Sequence, residues 1–185
     1  MTASLIPVKW SVDDYHRMID AGILTDRKAE LLWGEIVAMA PEGKPHAHFS
    51  SNGADYIREQ LAGQVKVREA KPITLADASE PEPDIAVVQD LGDAYLEHHP
   101  FAENVFWLVE YADASLKKDL ESKPLLYAEA GIPEYWVVNL KRMELVIFTQ
   151  PENGRYQRQQ TVIEGRVSPV MFPQVSLAVD RFIRR

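Results

Sequence analysis

Apolar residues recur along this chain in two rhythms, and the switches between them mark its elements. SVDDYHRMIDAG reads as a first helix, with Ser11 as N-cap, Asp14 three residues on as a capping box requires, and Gly22 to end it. AELLWGEIVAMAP reads as two short strands around Trp33-Gly34, a hairpin carrying Glu30 and Glu35. From Pro45 to Leu61 a second helix is expected, with Phe49, Tyr56, Ile57 and Leu61 roughly on one face and Gly63 closing it; Gly53 is out of place inside it. QVKVREAKPITLA and PDIAVV are strand-like, and NVFWLVEYA, Asn104 to Ala112, is the most apolar strand. SLKKDLESKPLLYAEAGI has the best helical periodicity, with Gly131 as its stop. EYWVVNL and MELVIFT follow as strands joined by LKRM, PENGRYQ is a loop with an Asn-Gly turn signal, and QRQQTVIEGRVSPV adds strands or turns. Helix, strands, helix, several strands, helix, strands: this order predicts an α+β fold, a central mixed sheet flanked by helices.

Composition narrows the class. A chain of 185 residues buries enough surface to fold as one domain, 1–185, without staples. There is no cysteine, which removes disulfides, thiolate metal sites and a cysteine nucleophile. No apolar run approaches the ~20 residues of a membrane span. MTASLIPVKWSVDD lacks the basic start and long apolar core of a secretion signal, so a cytoplasmic domain without membrane contact is expected. The net charge of −8 argues against a scaffold that grips nucleic acid without sequence preference. It leaves room for an enzyme that meets phosphates with a metal in between. No GxGxxG, P-loop or GxSxG motif is present.

The chemistry concentrates in SEPEPDIAVV, Ser79 to Val88, where Glu80, Glu82 and Asp84 crowd the mouth of an apolar strand. Alternation puts Asp84 on a face with Ala86 and Val88, and Glu110 on a face with Phe106 and Leu108. If the two strands are neighbours, the carboxylates converge. Such a pair repels unless a proton or a cation intervenes, and a hard divalent ion with oxygen ligands resolves the conflict. Glu80 and Glu82 then belong to the loop leading in. Leu116, Leu120, Lys123 and Tyr127 share a helical face, so Lys123 interrupts an apolar stripe where an unpaired ammonium is costly. Lys117 and Lys118 read as solvated, and His98-His99 as an exposed loop. Each feature also has an ordinary structural reading: Asp84 as a strand-start residue, Glu110 in a structural ion pair, Lys123 reaching out to water.

PEPDIAVV and then FWLVEYADASLKKDLESKPLLYAEAGIPEYWVVNL resemble a bacterial restriction-endonuclease-like family, abundant in cyanobacteria, within the PD-(D/E)XK nuclease superfamily. YAEAGIPEYWVV is the specific block; ELLWGEI resembles the family's hairpin, and His48 matches a histidine shortly after it. The similarity spans roughly Ala29 to Gln150. It implies a restriction endonuclease-like fold, with Asp84 and Glu110 as catalytic, metal-binding carboxylates. The superfamily's lysine usually follows the acid by two residues, but Ala112 stands there. In this family it moves to the next helix, where Lys123 matches. Either Glu30 or Glu35 would add an acidic side chain to the metal site, and His48 would help proton transfer unless it is structural. EYADAS departs from the family's E-V-x-S-P-S. Pro124 directly after Lys123 disfavours the α conformation before it, so a kink is expected.

The expected activity is Mg²⁺-dependent hydrolysis of nucleic-acid phosphodiesters, with Mn²⁺ as substitute, DNA as substrate and a homodimer as the restriction-type assembly. A first rival keeps the fold as an inactive oligomeric or regulatory module, with Trp33, Trp107, Tyr135 and Trp136 as core or interface aromatics. A second, a paired-carboxylate glycosidase, needs a sugar-sized cleft that nothing in the sequence favours.

Overall fold

The computed structural model describes residues 6–183. The first five residues of MTASLIPVKWSVDD and the last two of the chain lie outside that range. Helix α1 (Val12–Asp20) opens with the Ser11–Asp14 capping box. A hairpin follows, β1 (Ala29–Leu32) with β2 (Glu35–Ala38), and then α2 (Lys44–Leu61). The main sheet runs β3 (Lys66–Glu69), β4 (Ile85–Val88), β5 (Val105–Ala112), β6 (Glu134–Asn139), β7 (Glu144–Glu152), β8 (Arg155–Val162). β5 and β6 are parallel; the other neighbouring strands are antiparallel. Parallel neighbours require a crossover, which the helical segment ending in α3 (Lys123–Glu129) supplies. A small pair, β9 (Arg166–Val167) with β10 (Leu177–Ala178), and α4 (Asp180–Ile183) complete the described residues. The fold is mixed α+β. No helix among these residues is long and apolar enough to cross a membrane.

The sheet's two faces carry different cores. Ile85, Val87, Trp107, Val109, Tyr111, Trp136 and Val138 pack with α2 and α4, while Ala86, Val88, Leu108, Tyr135 and Val137 pack with α3. Phe106 joins the α2 face instead of the Leu108 face. The pairing passes from Val87↔Trp107 to Val88↔Val105, so Phe106 is the extra residue of a bulge, which resets the alternation. Gly53 now has a reason. A Cβ there would lie 2.0 Å from the Tyr111 hydroxyl, so only glycine lets β5 approach α2 this closely.

Other segments differ from their sequence pattern. QVKVREAKPITLA yields only β3, because Ala70 turns to φ 45° and Thr74 keeps a single bridge to Phe101. PENGRYQ is mostly strand, since Asn153 (φ 52°) and Gly154 (φ 73°) make a two-residue turn between β7 and β8. Pro124 does not break the helix. A π-helical turn, Lys118–Ser122, precedes it, the Lys123 N–H donates to the Lys118 carbonyl, and Lys123 stays helical at φ −61°, ψ −36°. The proline then occupies the first turn of α3, where its missing donor costs nothing.

Candidate active site

β4 and β5 pair antiparallel with Ile85 opposite Val109, so the next step sets Asp84 opposite Glu110 on the α3 side. The Asp84 N–H donates to Glu110 Oε2 (3.4 Å), and the Tyr111 N–H donates to Asp84 Oδ2 (2.6 Å). Pro83 removes a backbone donor just before this point, where the strand has not begun. From the first turn of α2, His46 Nε2 lies 2.9 Å from Asp84 Oδ2.

The crossover helix brings the cations. Lys123 Nζ donates to Glu110 Oε1 and lies 3.6 Å from Glu30 Oε2. The Tyr127 hydroxyl donates to the same Glu110 oxygen at 3.1 Å. Glu30, fully buried on β1, accepts from Lys118 Nζ (2.7 Å) and from the Glu82 N–H (3.3 Å). Asp119 is buried beside them. Its backbone carbonyl accepts from the Tyr135 hydroxyl, but its Oδ1 has no hydrogen-bond partner among the described residues. Asp84, Glu110, Asp119, Lys123 and His46 border one cleft of about 230 Å³.

Negative charge is in excess here. Glu30, Asp84, Glu110 and Asp119 face two ammonium groups, Lys118 and Lys123, and one imidazole. Burial pushes Glu110 up to about 8; Lys123 opposes the rise, while Asp84, Asp119 and Glu30 add to it. Burial alone would lower Lys123, but Glu110, Tyr127, Glu30 and Asp119 together hold it well above the usual lysine value, so it stays charged. Burial likewise favours neutral Glu30, yet Lys123 and Lys118 outweigh it and keep that carboxyl below its usual range. Asp119 is raised, chiefly by burial. His46 is raised because Asp84 and Glu42 outweigh its burial. The cluster therefore favours one further positive charge, a proton or a cation. A hard divalent ion suits the chemistry of the donors: Asp84, Glu110 and Asp119 are carboxylates that border one cleft, and Asp119 Oδ1 has no hydrogen-bond partner among the described residues.

The structure thus brings Asp84, Glu110 and Lys123 together, with Glu30 as the hairpin's contribution. Glu35 lies away from them, paired with Lys9 on the surface at 2.5 Å. His48 points outward to Asn52, whereas His46, two residues earlier, reaches Asp84. Lys118 is not solvated, since it holds Glu30. Glu80 is not a loop carboxylate but a buried one, bridged to Leu31 through the backbone. His99 is half-buried beside it rather than exposed. Trp107, Tyr135 and Trp136 are core residues, and Trp33 sits on the hairpin turn at φ 47°.

A family model described as "Uma2: Putative restriction endonuclease" matches residues 12–180. The chain is also similar to a solved structure from Anabaena variabilis, described as a "putative nuclease belonging to DUF820". The identity is 15%, the TM-score 0.74, and the match covers 95% of this chain and 98% of that one. Likeness at that identity bears on the fold, which is that of a nuclease-like α+β protein. No curated protein matches. The family inferred from PEPDIAVV and YAEAGIPEYWVVNL is the one found.

Proposed function

We propose, for a chain that belongs to the Uma2 family, that it is a metal-dependent nuclease of the PD-(D/E)XK type whose lysine has moved to the crossover helix. The observation that carries this is the meeting of Asp84, Glu110 and Lys123 on one open cleft, from two adjacent strands and the helix between β5 and β6. Asp84 and Glu110, with Asp119 and His46 beside them, are the residues to hold Mg²⁺ or Mn²⁺. Such an ion, when bound, polarises a phosphoryl oxygen and acidifies a water.

The chain's own groups have separate tasks. Lys123 Nζ is a fixed cation in a dry setting, suited to holding an attacking water and offsetting charge that builds on the phosphate. The Tyr127 hydroxyl and the Asp84 N–H fix the Glu110 carboxylate from both ends. Glu30 anchors Lys118 and stands behind Lys123, which keeps both ammonium groups directed at the cleft. Lys28 and Lys118 border the opening, paired with Glu42 (3.3 Å) and Glu30 (2.7 Å), and a phosphate backbone would compete with those carboxylates for them. DNA is the substrate on this reading. A homodimer, with one such cleft for each strand of a duplex, goes with this reading.

One observation favours the rival reading of an inactive module. The Lys123 ammonium rests on Glu110 Oε1, and a proton on Glu110 would satisfy the cluster without any ion. Cleavage of supercoiled plasmid and of single-stranded DNA and RNA oligonucleotides, with Mg²⁺ or Mn²⁺, separates the two. The nuclease reading expects wild-type cleavage that falls at least ~100-fold in Asp84→Ala and in Lys123→Ala. Equal activity in all three proteins, or none with Mn²⁺ binding absent by calorimetry, would sink it.

A further inference from the structure

Outside the cleft, side chains from three separate segments converge: His16 on α1, Glu80 in the stretch leading to β4, and His99 before Pro100. One donor atom from each lies within 4.8 Å of the other two. His16 Nε2 is 2.8 Å from Glu80 Oε1, and the His16 and His99 rings meet edge to face at 82°, centroids 6.3 Å apart. None of the three borders the Asp84–Glu110 cleft.

Glu80 is the informative member. It is 2% exposed, and among the described residues no lysine or arginine pairs with it. Its other oxygen accepts from the Thr74 hydroxyl at 2.9 Å, and its backbone is held to Leu31 in both directions. A buried carboxylate so fixed has imidazoles in place of a permanent cation, and an ion held by the same nitrogens would offset its charge. Two imidazole nitrogens and one carboxylate oxygen are donors that suit a borderline transition ion rather than Mg²⁺. The Thr74 hydroxyl plays the orienting part that an outer partner takes behind a ligating carboxylate. Tetrahedral donors around zinc stand roughly 3.3–3.6 Å apart, so small side-chain shifts close the set.

We propose that His16, Glu80 and His99 form a second metal site, separate from the nuclease cleft, that takes Zn²⁺ or a similar divalent transition ion with water completing its shell. The ion ties α1 and the turn before Pro100 to the stretch that ends at Asp84. One group opposes it. Arg68 Nη2 lies 3.5 Å from His99 Nδ1, with its guanidinium over the Tyr95 ring. That fixed charge must weaken the site.

The test uses the full chain with Asp84→Ala as background, stripped with chelator and titrated with Co²⁺ and with Zn²⁺ against a chromogenic competitor. One ion per chain is expected, with visible Co²⁺ bands of nitrogen–oxygen ligation. His99→Ala and Glu80→Gln should lower affinity at least 100-fold, and His16→Gln, at a partly exposed site, at least 10-fold. Arg68→Gln should raise it roughly tenfold, the order for one unit charge near a divalent ion at water-like dielectric. Circular dichroism before metal addition checks folding. Should Glu80→Gln fail to fold, His16→Gln and Arg68→Gln still test the site in opposite directions. The proposal is overturned if His99→Ala and His16→Gln bind as tightly as the background, or if the background binds Zn²⁺ no better than the unfolded chain.

Discussion

Two glutamates lie buried on adjacent parallel strands and on opposite faces of one sheet, Glu110 on β5 and Glu134 on β6. Each borders a hollow. Their partners differ in kind. Glu134 accepts from Trp136 Nε1 and from the Val170 N–H, both at 2.6 Å, and has no ion pair among the described residues. Its carboxyl is raised by burial, against the pull of those two donors. Glu110 instead meets an ammonium, a phenol and a backbone N–H, within reach of three further carboxylates. Neutral donors that occupy each oxygen make Glu134 a structural staple. Around Glu110 the charges do not balance, and an imbalance is what a cation or a charged substrate can relieve. Burial alone does not separate scaffold from chemistry; the partners do.

The widest gap between the two should appear in cleavage. Glu110→Gln should lower plasmid nicking at least ~100-fold, while Glu134→Gln stays within about twofold. Next comes stability. Lys123→Met strands the Glu110 carboxylate, while Glu30 keeps Lys118, and should cost about 3–5 kcal/mol in urea unfolding above pH 8, where Glu110 is ionised. Adding Glu110→Gln to Lys123→Met should return much of that loss. Glu134→Gln sets an amide NH₂ against a donor and should cost only about 1–3 kcal/mol.

The pH dependence is subtler. Folding raises Glu110 from 4.5 to about 8, so the native state binds the extra proton between those values. Stability then falls as pH rises through that window and levels off above it. His46, raised by Asp84, adds loss in the same direction as its folded pKa is passed. Melting temperatures of metal-free protein across pH 5–9 should show the decline, and Glu110→Gln should flatten it. A flat wild-type profile would contradict the charge excess inferred for the cleft. The smallest effect belongs to Tyr111, whose buried hydroxyl has no partner among the described residues. Tyr111→Phe should alter unfolding free energy by no more than about 0.5 kcal/mol, since it removes a polar group that gains nothing in the fold.

Much of this was legible from local pattern. The Ser11 capping box, the apolar run of β5 and the turn at Asn153-Gly154 each rest on chemistry within a few residues. So did the suspicion about Lys123, because an ammonium inside an apolar stripe needs a partner wherever the helix lands. Glu30 left a fainter signal, a lone carboxylate in the buried strand AELL. Asp119 left one of similar strength: it stands four residues before Lys123, side chains at that spacing share a helical side, and both are buried. Spacing along α2 does not tell His46 from His48, since the choice depends on which side of the helix meets β4.

The amino-acid sequence by itself determined the element order, the mixed α+β class and the placing of one carboxylate at the end of each of two apolar strands, because propensity, capping and strand alternation act over short separations. The β4–β5 pairing that sets the two opposite each other is tertiary. Tertiary structure decided which charges join them. The bulge at Phe106, the fit of Tyr111 against Gly53 and the π-turn at Lys118–Ser122 set the register and rotation of whole elements. Those shifts of one residue or less determine whether a side chain ends in water or beside Glu110.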